Sequence, residues 1–238
     1  MSQQHAVILG GSSGIGLATA KHLLGLGFKV TITGRDQAKL EAATKTLGGD
    51  ATSIVADAGN EQAMKGAFAL IGPFDHLIVA VSGGKGIGPF AALSLAALRE
   101  GVEEKFLAHF AAAQTALPSL SKTGSIVFVT AVSAQAAMPG TAGIGAINAA
   151  LNQLVPVLAN ELKPIRVNGV SPGVIDTPWW DWLPADQKAQ AFAEFAARTP
   201  VGRVGRPEDV AQAIGFLVTN GFMTGHTLIC DGGLHRAQ

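Results

Sequence analysis

Short apolar runs alternate with segments of helical periodicity along the whole chain. The runs predict strands near 5–10, 28–33, 51–56, 75–81, 124–130, 164–170 and 227–230. Apolar positions spaced by three or four residues predict helices near 14–26, 36–47, 60–71, 94–118, 142–162 and 207–219. A run as uniformly apolar as 126–129 is typical of a strand covered on both faces. The pattern therefore predicts an α/β fold, a doubly wound parallel sheet of about seven strands flanked by helices.

Local signals place several boundaries of these elements. Asp36, and Pro207 followed by Glu208 and Asp209, are typical helix starts. Neither a linker nor a charge block divides the 238 residues, a length that suits one α/β domain. We therefore expect a single domain, 1–238, with an irregular insertion near 177–205.

The charge balance narrows the class of partner. The chain has 17 basic and 17 acidic residues, and only 14% of its residues are charged, which argues against nucleic acid or an anionic membrane as the main partner. No membrane span is expected, since no stretch of the sequence approaches the roughly 18 uncharged apolar residues that would suggest one. The first residues lack the features of a secretion signal, so a cytoplasmic protein is expected. Cys230 is the one cysteine and is expected to be a buried, inert thiol, and no metal site is predicted.

The first apolar run breaks into glycines and resumes with helix spacing. Gly10, Gly14 and Gly16 allow a tight strand-to-helix turn, close approach of a pyrophosphate, and close packing of the helix. Free N–H groups at the start of the helix would bind the phosphates. We therefore predict a dinucleotide-binding turn that also includes Ser12, Ser13 and Ile15.

Two further residues point to the adenosine half of such a cofactor. The end of the second strand offers Gly34 and Arg35 where NAD sites usually have an acid, and a guanidinium suits a 2′-phosphate. NADP(H) is therefore preferred over NAD(H), although Arg35 as a solvated arginine, or one paired with Asp36, is the alternative. Asp57 ends the third strand and is expected either to accept from the adenine amino group or to cap the next helix.

The chain resembles the short-chain dehydrogenase/reductase family along essentially its whole length, in the subgroup containing acyl-carrier-protein ketoreductases. The matching segments are Leu9-Gly10-Gly11-Ser12-Ser13-Gly14-Ile15-Gly16, Asp75-His76-Leu77-Ile78, Gly124-Ser125-Ile126-Val127, Arg166-Val167-Asn168-Gly169-Val170-Ser171-Pro172-Gly173-Val174-Ile175-Asp176-Thr177-Pro178, Gly202-Arg203-Val204-Gly205-Arg206-Pro207-Glu208-Asp209-Val210, Thr224-Gly225-His226-Thr227 and Asp231-Gly232-Gly233.

The resemblance implies a nicotinamide end held by Pro172, Gly173, Val174 and Thr177. Taken alone, Pro172 and Gly173 would indicate no more than a turn after the sixth strand. Relatives commonly form homotetramers through the helices corresponding to 94–118 and 142–162, so a homo-oligomer, tetramer or dimer, is expected. Alanine-rich faces, of Ala108, Ala111 and Ala112 and of Ala146, Ala149 and Ala150, would permit that packing or would pack on the sheet.

Catalysis in this family rests on Asn, Ser, Tyr and Lys. The tyrosine exchanges the proton on the substrate oxygen, and the lysine lowers its pKa and holds the nicotinamide ribose. This chain contains no tyrosine. The resemblance aligns Lys105 with the Asn, Ala131 with the Ser, Ile144 with the Tyr and Asn148 with the Lys. The chain is therefore expected to bind the cofactor but to lack the proton relay that the Tyr and Lys form in the family.

Other residues are candidates for the missing chemistry. Ser133, two positions after Ala131, could hydrogen-bond a carbonyl, and Asn148 a ribose hydroxyl. Lys105, desolvated beside a cofactor, could act as acid, base or imine-forming amine; the alternative is a lysine paired with a surface acid. His109 shares its helix face and is expected to be a packed or exposed histidine.

Three tryptophans follow Thr177, where family members carry a mobile lid over the substrate. Trp179, Trp180 and Trp182 would either bind an apolar or aromatic small-molecule substrate or pack the lid on the body or on another subunit. An amphipathic helix over 189–197 is expected to cover the pocket.

Three functions remain open. The first is an NADP(H)-dependent oxidoreductase that transfers hydride to or from a small apolar carbonyl, imine or enone with a non-standard proton donor. The second is a catalytically silent NADP(H)-binding protein that acts as a regulator or partner subunit. The third is a non-redox enzyme that uses the same pocket through Lys105.

Overall fold

A computed structural model describes residues 3–237 of the chain. Seven parallel strands form one sheet in the order β3-β2-β1-β4-β5-β6-β7. The strands are β1 (His5–Leu9), β2 (Lys29–Gly34), β3 (Ala51–Val55), β4 (Phe74–Val79), β5 (Leu120–Val129), β6 (Arg166–Pro172) and β7 (Thr227–Cys230). This order confirms the predicted doubly wound α/β fold.

Within residues 3–237, eight α-helices connect and cover the strands. They are α1 (Gly14–Gly25), α2 (Gln37–Leu47), α3 (Glu61–Ile71), α4 (Leu95–Gly101), α5 (Ala108–Ala116), α6 (Ala142–Glu161), α7 (Ala185–Arg198) and α8 (Pro207–Thr219). Buried residues of α3, α5 and α6 pack on one face of the sheet. Those of α1, α2 and α8 pack on the other. Strand β1 serves both cores because successive side chains alternate: Val7 and Leu9 face one layer, and Ala6 and Ile8 the other.

Capping side chains begin several helices at the expected places. Asp36 accepts a hydrogen bond from the Lys39 N–H at 3.0 Å, and Asp209 accepts one from the Arg206 N–H at 2.7 Å, immediately before α8. The alternative of Asp57 as a helix cap is wrong, because Asn60 caps α3 by accepting from Ala63 at 2.9 Å.

The predicted long helix over 94–118 is interrupted. A π-helical segment, Val102–Leu107, separates α4 from α5. A π turn contains an extra residue, and the apolar pattern of the sequence continues through it, so periodicity alone did not reveal the interruption. Strand β5 also starts earlier than predicted, at Leu120, with a register shift against β4 between Phe74 and His76.

One helix in the described part of the chain, α6, is long and apolar enough to cross a membrane by length and composition, with a mean hydropathy of 1.4 over 18 residues. This departs from the expectation that no such stretch exists. The buried residues of α6 pack in the body of the fold, as is typical of a core helix: Gly143, Ile144, Gly145, Ile147, Asn148, Leu151 and Val155.

Candidate functional site

The site lies at the carboxyl ends of β1 and β4, where the strand order reverses. In open parallel sheets the connections on either side of this point diverge and leave a crevice for a ligand. Gly10 lies there with φ of 80°, and a side-chain carbon on it would lie 2.7 Å from the Ala80 carbonyl oxygen. The position therefore requires glycine for both its conformation and its space.

The rest of the glycine turn places the start of α1 close to β1. A side-chain carbon on Gly16 would collide with the Gly10 carbonyl oxygen. Gly14 has φ of 51°, and Ser13 holds the N-cap position without a side-chain capping bond in the described chain. By contrast, Asp36 and Asn60 cap α2 and α3. The first N–H groups of α1 are thus available to an anion.

The adenosine side of the crevice is formed by the ends of β2 and β3. A side-chain carbon on Gly34 would lie 3.4 Å from the Ser12 hydroxyl oxygen, so the glycine turn and the end of β2 are adjacent. Arg35 is exposed and forms no ion pair within residues 3–237; its possible partner Asp36 caps α2 instead. Asp57 is exposed after β3, and its carboxylate accepts from the Gly59 N–H at 3.0 Å.

The other side of the crevice starts where β6 ends. Gly173 packs against Asp231, whose Cα would lie 2.8 Å from an added side-chain carbon. The Val174 carbonyl accepts from the Gly205 N–H at 2.8 Å, which fixes the start of the 177–205 insertion. Thr177 lies at the glycine turn, with its Cβ 3.3 Å from the place of a side-chain carbon on Gly14. The chain thus runs from the end of β6 to the start of α1 through Pro172, Gly173, Val174 and Thr177.

Lys105 lies in the π-helical segment and is buried, with 6% of its surface exposed. Its Nζ donates to the Thr130 carbonyl oxygen at 3.4 Å and has no carboxylate partner among residues 3–237. Desolvation by burial lowers the pKa of Lys105 to about 8. The alternative of a lysine paired with a surface acid is therefore wrong, because the π turn directs the side chain inward to the end of β5.

His109 is fully buried one turn beyond Lys105. Its Nδ1 lies 2.7 Å from the Lys105 carbonyl oxygen and its Nε2 3.3 Å from that of Val129. Desolvation first, and then the charge of Lys105, lower the pKa of His109 to about 3. His109 is accordingly a neutral packed histidine that supports the Lys105 backbone.

Asn148 is fully buried and connects α6 with the segment after β5. Its Nδ2 donates to the Ser133 hydroxyl oxygen and to the Ile144 carbonyl oxygen, both at 3.0 Å. Its Oδ1 is a buried acceptor without a hydrogen-bond partner in the described chain. Such a group has lost its water without compensation, so it suits a ligand that donates a hydrogen bond.

Two apolar residues line the same region. Ile144 is 7% exposed, and its N–H donates to the Gly86 carbonyl oxygen at 2.9 Å, so the loop after β4 packs over it. Ala131 follows Thr130 at the end of β5 and brings no titratable group. Lys105 is thus the ionisable residue among the four positions aligned with the family's catalytic residues.

An open groove of about 400 Å³ runs past Ser133. Its lining includes no ionisable side chain and consists of Phe90, Ser133, residues 136–142, Gly145 and Ala146. It suits an uncharged, apolar group.

The three tryptophans of the insertion occupy different environments. The indole N–H of Trp180 donates to the Ile175 carbonyl oxygen at 3.1 Å, and its ring packs on Phe192 and Phe195 of α7. Trp180 therefore packs within the insertion and joins it to the segment after β6. Trp182 is 66% exposed, whereas Trp179 is half-buried beside Trp180.

A contact in the insertion was missed by sequence reasoning. Lys188 lies 3.2 Å from both Asp176 and Asp181, so a residue of α7 bridges the segment after β6 and the tryptophan segment. Residues so far apart along the chain meet only because α7 folds back, and no local pattern indicates that.

Comparison with known proteins agrees with this geometry. Residues 10–235 match the family described as enoyl-(acyl carrier protein) reductase. The cis-4-hydroxycyclohexanecarboxylate dehydrogenase of Sinomonas cyclohexanicum is 32% identical, over 98% of this chain and 96% of that protein.

Two solved structures are also similar. A small-chain dehydrogenase in complex with NADPH has a TM-score of 0.87 and 29% identity, covering 99% of this chain and 100% of that one. The NADPH-bound short chain oxidoreductase of Pseudomonas aeruginosa PAO1, described as containing an atypical catalytic center, has a TM-score of 0.90 and 30% identity, covering 99% and 98%. With its strand order, glycine turn and near-complete match, the chain belongs to the short-chain dehydrogenase/reductase family.

Proposed function

We propose that this protein is an NADP(H)-dependent oxidoreductase that acts on a small apolar carbonyl, imine or enone. The observation that carries the proposal is the Arg35 guanidinium, exposed and without an acidic partner among residues 3–237, next to the uncapped start of α1. A free guanidinium at the end of β2 suits a 2′-phosphate, which distinguishes NADP(H) from NAD(H). Two similar structures carry NADPH, which supports the same choice.

The residues present fit this cofactor. Side-chain carbons on Gly10 and Gly16 would fill the turn, so its open backbone suits a pyrophosphate. The N–H groups of Ser12, Ser13, Gly14, Ile15 and Gly16 would hold the phosphates, and Ser12 and Arg35 the 2′-phosphate. Asp57 would accept from the adenine amino group. When bound, the nicotinamide supplies or takes the hydride.

The unpaired Oδ1 of Asn148 would accept a hydrogen bond from a ribose hydroxyl. Val174 and Thr177 would orient the carboxamide on the opposite side of the crevice. These contacts would hold the nicotinamide beside Lys105 and the end of β5, and positioning is what hydride transfer needs most.

The substrate side needs a group that stabilises negative charge on oxygen. The Lys105 ammonium has no counter-charge within the described residues, so a developing oxyanion would be its first anionic partner. In reduction Lys105 would then give a proton to that oxygen, and Ser133 would hydrogen-bond it. The uncharged groove past Ser133 would hold the apolar part of the substrate.

The cofactor proposal is tested by thermal unfolding with NADPH and with NADH. We expect NADPH to raise the Tm more than NADH at equal concentration. Arg35→Ala should weaken NADPH binding roughly 10- to 100-fold and leave NADH binding unchanged, because one set of charge-assisted hydrogen bonds is lost. Lys39→Ala, which removes another exposed cation close in sequence, is the matched control. Equal protection by both coenzymes in the wild type would contradict the NADP(H) preference.

A catalytically silent NADP(H)-binding protein is the second candidate. The burial of Ile144 under the loop after β4, in a chain without tyrosine, favours it. NADPH oxidation with a panel of ketones, imines and enones separates the two: turnover supports the oxidoreductase, and binding without turnover supports the silent protein.

The proposal includes a homo-oligomer that uses α6. Ala146, Ala149 and Ala150 are exposed and would allow close approach of another helix, whereas Ala108 and Ala112 of α5 are buried on the sheet. Light scattering of the purified protein measures the subunit number, and Ala150→Glu should reduce it.

A further inference from the structure

We propose that Asn148 is a positioning residue that makes Ser133 donate its hydroxyl proton into the groove beside it. The groove, of about 400 Å³, then takes a compact, uncharged molecule with one hydrogen-bond acceptor, such as a ketone. This inference rests on the proposed function and deepens it, because it names what turns a hydroxyl toward the substrate oxygen.

The orientation of the Asn148 amide is determined by its neighbours. One atom of the amide lies 3.0 Å from the Ile144 carbonyl oxygen, which accepts hydrogen bonds and cannot donate them. The atom in that place is therefore Nδ2, since Oδ1 there would set two acceptors against each other. Oδ1 is then the buried acceptor without a partner among residues 3–237. Asn148 is fully buried, so bulk water does not compete for these contacts.

The same amide nitrogen fixes the hydroxyl of Ser133. Nδ2 of Asn148 lies 3.0 Å from Ser133 Oγ. An amide nitrogen donates hydrogen bonds and does not accept them, so Oγ is the acceptor in this contact. The proton of the Ser133 hydroxyl must therefore point away from Asn148, and it has no acceptor within the described part of the chain.

The backbone of Ser133 is held from the other side. Ser133 lies in a short 3₁₀ turn, Val132–Ala134, which the Gln135 N–H closes by donating to the Val132 carbonyl at 2.9 Å. Helix α6 packs directly on this turn, because a side-chain carbon on Gly145 would lie 2.6 Å from the Ser133 carbonyl oxygen. With backbone and Oγ both held, the direction of the O–H is set by the fold before a ligand binds.

The groove has one directed side-chain donor. Its lining residues all lie within 3–237, and two of them, Ser133 and Thr141, carry a hydroxyl group. Thr141 donates its proton to the Met138 carbonyl oxygen at 2.7 Å, which leaves the proton of Ser133 for a ligand. The other lining side chains are apolar. Apolar walls around one directed donor suit a ketone with a hydrocarbon body.

The unpaired Oδ1 connects this donor to the cofactor side of the crevice. A hydrogen bond to Oδ1, such as the one from a ribose hydroxyl in the proposed function, would polarise the Asn148 amide. The amide would then donate more strongly to Ser133 Oγ, and the Ser133 O–H would become a better donor to the ketone. Hydrogen bonds in such a chain strengthen one another.

Infrared spectroscopy of a bound ketone tests the donor without turnover. Cyclohexanone labelled with carbon-13 at its carbonyl is bound to protein saturated with NADP⁺. Because a donated hydrogen bond weakens the C=O bond, the carbonyl stretch should lie at lower frequency in the wild type than in Ser133→Ala. Asn148→Asp should behave like Ser133→Ala, since a carboxylate accepts from Ser133 and turns its proton out of the groove.

Kinetics test whether Asn148 acts through Ser133. Ser133→Ala and Asn148→Asp should each lower kcat/KM for NADPH-dependent reduction of cyclohexanone about 10-fold, as expected for one hydrogen bond. The double variant should also lose about 10-fold rather than about 100-fold, because both changes remove the same contact. Asn160→Asp is the matched control: the exposed Asn160 also lies on α6 and donates from Nδ2 to the carbonyl four residues earlier, at 3.0 Å. It should retain the wild-type kcat/KM.

The outcomes separate this inference from the proposed function. Equal carbonyl frequencies in the wild type and Ser133→Ala, or no band of bound ketone in the wild type, overturn the inference even if NADPH is oxidised. A loss of about 100-fold in the double variant overturns the role of Asn148. If Asn148→Asp does not fold, the spectrum of Ser133→Ala still decides whether Ser133 is the donor. A lowered carbonyl frequency without NADPH oxidation upholds the inference and counts against the oxidoreductase.

Discussion

Single glycines of the glycine turn leave little or no room for a side chain. Gly10, Gly14 and Gly16 each meet backbone or a packed side chain where a Cβ would stand. Glycines elsewhere differ: Gly66, inside α3, has open space around it. Glycine is therefore required for binding in the glycine turn, whereas inside α3 it destabilises the helix.

Alanine substitution separates these two roles. Gly16→Ala should cost about 1–3 kcal/mol of stability, because the turn must open, and should abolish protection by NADPH. Gly66→Ala should instead stabilise the protein by up to about 1 kcal/mol, because alanine favours helix. Thermal unfolding with and without NADPH measures both. Retention of full NADPH protection in Gly16→Ala would contradict the role of the turn.

Lys105 gives the site a titrating group without a carboxylate partner in the described chain. Burial lowers its pKa to about 8, so the ammonium is the main form at pH 7 and is lost above pH 8. If Lys105 protonates the substrate oxygen, kcat/KM for ketone reduction should be level below pH 8 and fall tenfold per pH unit above it.

Lys105→Met keeps the length of the side chain and removes the amine. In this variant kcat/KM for ketone reduction should fall about 100-fold or more, since general acid catalysis typically contributes that much. The decrease of kcat/KM above pH 8 should disappear as well. NADPH protection against heat should persist. An unchanged pH profile in Lys105→Met would assign the proton to another group.

At the scale of elements, two pieces of secondary structure form the site beyond the sheet. The π-helical segment turns Lys105 inward, and Trp180 and Lys188 hold the 177–205 insertion in place. Helix α7 contributes no fully buried residue, so its attachment depends on the aromatic contacts of Phe192 and Phe195 with Trp180. Such an element opens more easily than the helices of the core.

Trp180→Ala should release α7 without unfolding the sheet. We expect faster hydrogen exchange over Ala185–Arg198, with a loss of free energy of unfolding much smaller than the roughly 3–5 kcal/mol that truncating a core tryptophan costs. Hydrogen exchange read by mass spectrometry measures it, and Trp182→Ala is the comparison. Global unfolding of Trp180→Ala would show instead that the 177–205 insertion unfolds together with the core.

At the scale of the whole molecule, two histidines are buried beside the sheet, His76 on β4 and His109 on α5. His76 contacts Ser125 through Nδ1 at 2.8 Å and has its Nε2 buried without a partner in the described chain, and desolvation lowers its pKa from 6.5 to about 4. The pKa of His109 is lowered from 6.5 to about 3, by desolvation first. Both are neutral in the folded protein at pH 7.

Stability should therefore fall on acidification. Below pH 6.5 the unfolded chain takes up protons that the folded protein does not, so the free energy of unfolding decreases until the folded pKa values near 4 and 3 are reached. His76 alone contributes a loss of about 3 kcal/mol over that range. Urea unfolding between pH 7 and pH 4 measures it. His76→Gln should make the free energy of unfolding fall less steeply on acidification, whereas His226→Gln, at an exposed histidine, should not. Equal pH dependence in the two variants would contradict the role of His76.

Local chemistry in the sequence determined the order of strands and helices, the helix starts at Asp36 and Pro207, and the glycine turn, because each depends on neighbours within a few residues. The family resemblance supplied the expectation that residues between Pro172 and Thr177 hold the nicotinamide end of the cofactor. What only the tertiary structure decided is the burial of Lys105, the unpaired Oδ1 of Asn148, and the separate roles of the three tryptophans. The physical reason is the same in each case. Burial and pairing depend on groups that meet from distant parts of the chain, and sequence spacing carries no information about such contacts.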